Sequence, residues 1–196
     1  RKNKGFVTRV SMLQELDLSE GSWLILAQAA YLLQNVSYDL KAMGLLFSFR
    51  GHRSVSERMS EAINGWEQLR KDKDVSGKAV KSIYSYMSSK DRIKRGFKKL
   101  GGLEEDEMFS FDVLVKDYGL LATKDMIWHE AMDKMPETDR AYIIAMLRRG
   151  EKFNAPPRIT VSTIHGSKGG EADNVVLFTD LSPAADESMC LDPDAM

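Results

Sequence analysis

The chain has 196 residues, 43% of them hydrophobic and 29% charged, enough to bury the core of one medium domain or of one domain with a sizeable insertion. A formal net charge of -1 excludes a global pull toward polyanions, so any contact with nucleic acid must rest on local clusters. No stretch approaches the roughly 20 apolar residues of a membrane span, and the single cysteine, Cys190, excludes an intrachain disulfide and fits a reducing, cytoplasmic compartment.

The amino end, "RKNKG", has no signal-peptide pattern and leads into "GFVTRVS", whose alternation predicts a strand. "WLILA" is a short apolar run that predicts the next. From Tyr31 to Met43, Leu33, Val36, Leu40 and Met43 share one helical face, Gly44 supplies a stop, and "LLFSF" follows as a strand. Strand, helix and strand at this spacing make a βαβ unit, so a parallel sheet is expected.

The pattern changes near Gly51. Ser54-Val55-Ser56-Glu57 reads as a capping box, and Met59, Ile63, Trp66 and Leu69 continue an apolar stripe beyond it. Ser76 to Leu100 again reads as helical, with Val80, Ile83, Tyr84 and Met87 on one face and Ile93, Phe97 and Leu100 on another. "GGLEEDE" breaks that run. Helices are predicted from Thr123 to about Lys134 and from Pro136 to Arg149, the latter opened by its proline and closed at Gly150.

Strands return in "RITVSTIH" and "NVVLFTD", whose near-continuous hydrophobicity predicts cover on both faces. The expected architecture is therefore an α/β core, residues 1–55 and 150–196, interrupted by a mostly helical insertion, 56–149. The chain starts at Arg1 and stops at "LDPDAM" after an acidic loop, which reads as a piece of a longer protein.

The chemistry concentrates in the turn after Ile164. In open α/β sheets ligands bind outside the carboxyl ends of the strands. Glycines let backbone N–H groups approach an anion, Lys168 adds a positive charge, and His165 offers a planar donor or stacking face. A tight solvated turn whose glycines serve only backbone geometry accounts for the same residues.

"VSTIHGSKGGEADNVVL" closely resembles motif V of the UvrD/Rep-type superfamily 1 DNA helicases, T-[LIV]-H-x-[AS]-K-G-[LG]-E followed by a strand. The match holds at Thr163, His165, Ser167, Lys168, Gly169 and Glu171. "GSWLILAQAAYLLQNVSYDLKAMGLLFSFRG" resembles the surroundings of motif IV, and the helix after "GHRSVSER" fits the segment that follows. The resemblance covers about the first 70 and the last 40 residues.

It implies the second RecA-like motor domain of a helicase, a parallel sheet flanked by helices and interrupted by an accessory subdomain. The implied ligands are ATP and Mg, held mainly by a first, amino-terminal motor domain outside this chain. Single-stranded DNA is the implied partner, with duplex DNA a further one, and no membrane. Nucleotide contacts fall by resemblance on Gln28, Lys168, Gly169 and Glu171, with Glu171 accepting from the ribose, and DNA contacts on Thr163 and His165. Gln28 stands where the family usually has an arginine for the nucleotide phosphates, and glutamine cannot neutralise that charge.

Several parts of the machinery are not among these residues. There is no G-x-x-x-x-G-K-[ST] loop, no acidic magnesium strand and no arginine motif after motif V, so no catalytic residue is expected and the chain alone should not hydrolyse ATP. Between Lys78 and Lys99 lies a basic stretch from which Lys94, Arg95 and Lys98 are taken as a duplex-facing group; a solvated helix face offset by Glu104, Glu105, Asp106 and Glu107 is the plainer reading. Trp66 and Trp128 read as core. His129 beside Glu130 and the lone Cys190 do not make a metal site. Two other classes stay open: a non-catalytic nucleic-acid-binding module that keeps a helicase-like fold, and an unrelated α/β protein with an accidental glycine turn.

Overall fold

The computed structural model describes residues 5–180, so Cys190 and the acidic end lie outside the described residues. In chain order the first elements are β1 (Trp23–Ala27), α1 (Gln34–Ala42), β2 (Phe47–Phe49), β3 (His52–Arg53), α2 (Glu57–Leu69), β4 (Val75–Ser76) and α3 (Gly77–Ser85). They are followed by β5 (Met108–Phe109), α4 (Phe111–Asp117), α5 (Trp128–Ala131), α6 (Glu137–Arg148), β6 (Ile159–Thr163) and β7 (Asn174–Leu177). The chain divides into two compact units, one from the described parts of Arg1–Ser54 and Ala145–Met196, the other from Val55–Ile144.

The first unit is mixed α/β. Its five-stranded sheet has the order β3-β2-β6-β1-β7, mostly parallel and flanked by helices, with only β3 antiparallel. β6 inserts between β1 and β2, so the sequence-adjacent βαβ unit straddles a strand that arrives over a hundred residues later. Its register is fixed by alternation. Ile25, Val161 and Phe47 share one face with Ile159 and are essentially fully buried, together with Leu33, Val36 and Leu40 of the segment after β1. Each such side chain contributes about 1.5–3 kcal/mol by leaving water.

Two arginines pin the approach to β6. Arg53 donates to the carbonyls of Phe153 (2.6 Å) and Ala155 (2.7 Å), and Arg158 bridges the Leu18 carbonyl (2.7 Å) and the Glu151 carboxylate (2.5 Å). They satisfy buried carbonyls of irregular backbone that would otherwise carry a desolvation cost.

The second unit packs α2 against α3. The stripe Met59, Ile63, Trp66 and Leu69 is buried as its spacing predicts, and the Trp66 indole donates to the Met126 carbonyl at 2.9 Å. Trp128 is buried as well. The cap of α2 is Ser56, whose hydroxyl accepts from Met59 N, and not Ser54, whose hydroxyl accepts instead from Phe47 N. Among the described residues no helix is long and apolar enough to cross a membrane.

Four expectations fail for identifiable reasons. Residues 5–10 form no strand: Phe6 and Val7 are 88% and 94% exposed, so their alternation has no sheet to join. α3 ends at Ser85 and residues 86–100 are irregular, because Lys90, Gly96 and Leu100 take positive φ, which a right-handed helix excludes. Ile93 and Leu100 are buried there all the same, Ile93 through bridges to Ser89 and Leu120. The helix expected from Thr123 to Lys134 is four residues long, since the chain leaves helical backbone at Met132 and donates from Lys134 N to the Tyr86 carbonyl. β7 is a sheet edge with one face open, Val175 and Leu177 being 60% and 54% exposed, so its hydrophobicity does not reflect cover on both sides.

Candidate functional site

β6 lies inside the sheet, between β2 and β1, and its carboxyl end is held by Ile164 N donating to the Ala27 carbonyl at 3.0 Å. The chain then makes a short 3-10 turn, His165–Ser167, and a tight reversal in which Gly170 N donates to the Ser167 carbonyl at 2.7 Å. Two glycines are favoured here by geometry. A Cβ on Gly166 would lie 2.9 Å from Ser162 Oγ and 3.1 Å from Thr163 Oγ1, and Gly169 has φ +82, which favours a residue without Cβ. Thr163 closes the turn from the strand side, its hydroxyl accepting from Gly166 N at 3.1 Å.

Opposite this turn stands another. β2 and β3 are joined by Arg50-Gly51, both with positive φ (51° and 83°), the pattern of a two-residue hairpin in which glycine and asparagine are the usual residues. Arg50 therefore holds a left-handed backbone at a cost of about 1–2 kcal/mol. Its N–H donates to the Val161 carbonyl at 3.0 Å, which ties the hairpin to β6.

Between the two turns is an open recess of about 620 Å³, floored by Leu24, Thr160 and Ser162 and walled by Arg50 and the Gly166–Gly170 turn with Lys168. Among the described residues no carboxylate lines it, and neither Arg50 nor Lys168 has an ion-pair partner. Thr160 Oγ1 accepts from Ser48 Oγ at 3.3 Å. Ser162, by contrast, is only 7% exposed and its hydroxyl has no hydrogen-bond partner among the described residues. Two cations, a hydroxyl without a partner among the described residues and close backbone suit an anion with several acceptor oxygens. They do not suit a magnesium ion, and among the described residues no group of three or more His, Cys, Asp or Glu could hold a metal.

The recess gathers Thr163, Lys168 and Gly169 from the residues expected by sequence. It leaves out His165 and Glu171, which are exposed on the same turn, and Gln28, which is exposed just beyond β1 and already has a partner. Lys94, Arg95 and Lys98 belong to the second unit. They lie on irregular backbone and not on a helix face, and Lys98 Nζ is committed to the Met87 carbonyl at 2.9 Å. Of the same basic stretch, Lys78 and Lys81 pair with Glu61 (3.5 Å) and Glu105 (3.2 Å). Arg50 was missed by sequence reasoning; a non-glycine residue heading a two-residue "RG" turn between strands was the available signal.

At the other end of the strands Asp173 clamps β7 to the chain entering β1. Its carboxylate accepts from Ser22 N (2.9 Å) and Ser22 Oγ (2.7 Å), and its own N–H donates back to Ser22 Oγ at 2.9 Å. The Ser22 backbone N–H and then the Ser22 hydroxyl hold the carboxyl below its ordinary value.

Comparison of the chain with protein-family models, with curated proteins and with solved structures finds no match in any of the three.

Proposed function

We propose that this chain is the second RecA-like motor domain of a cytoplasmic UvrD/Rep-like, ATP-driven DNA helicase or translocase, with residues 56–149 as its accessory insertion. In this reading the turn after β6 couples nucleotide state to grip on single-stranded DNA. Thr163 and His165 take the strand, and Glu171 takes the nucleotide ribose, with the Lys168-Gly169 turn beside it. ATP and Mg are held mainly by the first motor domain; the residues present here fit a phosphate group and not the metal. Of the group proposed to meet duplex DNA, Lys94 and Arg95 have no ion-pair partner among the described residues.

The observation that carries the reading is the recess at the carboxyl end of β6, a strand inside a mostly parallel sheet, lined by cations, hydroxyls and glycine backbone and by no carboxylate among the described residues. That is where open α/β sheets bind ligands, and it is the chemistry that binds phosphates.

The test is fluorescence anisotropy of the 196-residue chain with a labelled oligothymidylate at 50 and 200 mM salt. Binding should weaken as salt rises, and the double substitution Thr163→Val, Lys168→Ala should lower affinity about tenfold. Binding that is salt-independent or indifferent to both changes removes the DNA role of the turn. A second reading, a nucleic-acid-binding module without an ATPase, is favoured by Gln28, which offers no charge to a nucleotide and already has a partner. In a protein containing both motor domains, Glu171→Ala lowers DNA-stimulated ATP hydrolysis under the motor reading and has nothing to lower under the other.

A further inference from the structure

We infer that the Arg50-Gly51 turn and the Gly166–Gly170 turn form a socket for a single phosphate group, with Arg50 as its principal cation. The inference rests on the preceding subsection's reading of the recess as an anion site, and names both the ligand group and a residue to which the motif resemblance assigns no role.

Three observations converge on it. Arg50 keeps a left-handed backbone, φ 51, at a position where glycine would make the same hairpin without that strain. What arginine adds at this position is therefore its side chain, and that side chain borders the recess with no ionic partner among the described residues. Second, Ser162 is 7% exposed, lines the same recess, and its hydroxyl has no hydrogen-bond partner among the described residues. That hydroxyl is reached by solvent, and a phosphate oxygen in the recess would accept from it. Third, no carboxylate among the described residues lines the recess to compensate the charges of Arg50 and Lys168. A guanidinium can meet a phosphate through two parallel N–H donors, while the Lys168 ammonium acts as a point charge across the socket.

The ligand chemistry is a phosphate with at least two free oxygens facing protein. It can come from a nucleic-acid backbone or from free phosphate, and the test separates these sources. The full chain is titrated with inorganic phosphate and, separately, with oligothymidylate, following amide shifts of residues 162–170 by NMR. The variants are R50G, R50K and K168A, and thermal midpoints are recorded for each.

R50G should weaken phosphate binding about tenfold or more while its midpoint stays level or rises, because glycine relieves the strained backbone. R50K should fall between wild type and R50G, and K168A should weaken binding with no change in midpoint. That pattern separates a ligand contact from a purely structural role, for which binding and stability fall together. If R50G is poorly folded, R50K and K168A still decide the matter. Unchanged phosphate affinity in R50G, or wild type that binds neither probe, overturns the socket. Arg50-dependent binding of inorganic phosphate without oligothymidylate binding keeps the socket and defeats the DNA reading. Oligothymidylate binding insensitive to Arg50 does the reverse.

Discussion

The two faces of the five-stranded sheet come from the same strands and are buried by different means. On one face Ile25, Phe47, Ile159 and Val161 are at most 1% exposed. On the other, the register neighbours are Ser48, Thr160 and Ser162 toward β2 and Val175 and Leu177 at the open edge. "ITVST" thus carries two instructions at period two: its Ile and Val build a core, while its Thr160 and Ser162 floor the recess. The second face is not simply wet surface, since Ser162 is nearly as buried as the core and is covered in part by a glycine turn. The deepest apolar burial is concentrated on one face and the polar lining of the recess, beside Leu24, on the other.

The largest expected effect is on the core face. Ile25→Ala leaves a cavity against Val161 and should cost about 2–5 kcal/mol, read as faster hydrogen exchange of the β6 amides. The same exchange loss from Ser162→Ala would abolish the contrast between the faces, because that change removes only a hydroxyl without a partner.

Gly166→Ala comes next. Its Cβ would press on two side-chain hydroxyls, Ser162 Oγ at 2.9 Å and Thr163 Oγ1 at 3.1 Å, which can yield by rotating, at the expense of the Thr163 hydroxyl's contact with Gly166 N. The expected cost is about 1 kcal/mol, that of one hydrogen bond, and oligothymidylate affinity should fall with it. Loss of affinity with no change in unfolding midpoint would sharpen the contrast further, by showing that the turn serves binding alone.

The difference between the faces also explains what the sequence could tell. β1, α1, β2, α2, α6 and β6 were legible because each buries one periodic face, and that period survives in the letters. The stretch 86–100 was misread because Ile93 and Leu100 are buried from turns and bridges, where helical spacing is a coincidence of two separate contacts. α4 went unseen for the opposite reason: Val113 and Val115 are exposed, so no clean stripe marks the helix. Residues 5–10 show a period without a partner. At the site, the turn after β6 was legible because glycine, lysine and hydroxyl residues are informative in order. Arg50 was legible only in part: the "RG" letters show a turn, but that it faces the turn after β6 depends on a pairing between residues over a hundred positions apart, Phe49 with Val161. That Thr163 and Lys168 border one recess while Glu171 does not is likewise a matter of how the turn folds, and the motif alone treats them as neighbours.

The smallest expected effect tests how the open face's edge is held. β7 offers little burial there, and its attachment at the amino end is the exposed clamp between Asp173 and Ser22. Because the folded carboxyl is held below its ordinary value of 3.8, its contribution is present when the group is ionised in both states. It is lost as pH falls through the depressed folded value, where the proton finally displaces the hydrogen-bonded carboxylate. Asp173→Asn should therefore lower the thermal midpoint slightly at neutral pH, and the gap between variant and wild type should close as pH is taken below about 4. A gap that stays constant from neutral pH to pH 2.5 would mean that the carboxylate's charge contributes nothing and that β7 is held by its ladder with β1. In that case burial and backbone pairing would account for both faces, and the polar clamp would be removed from the contrast between them.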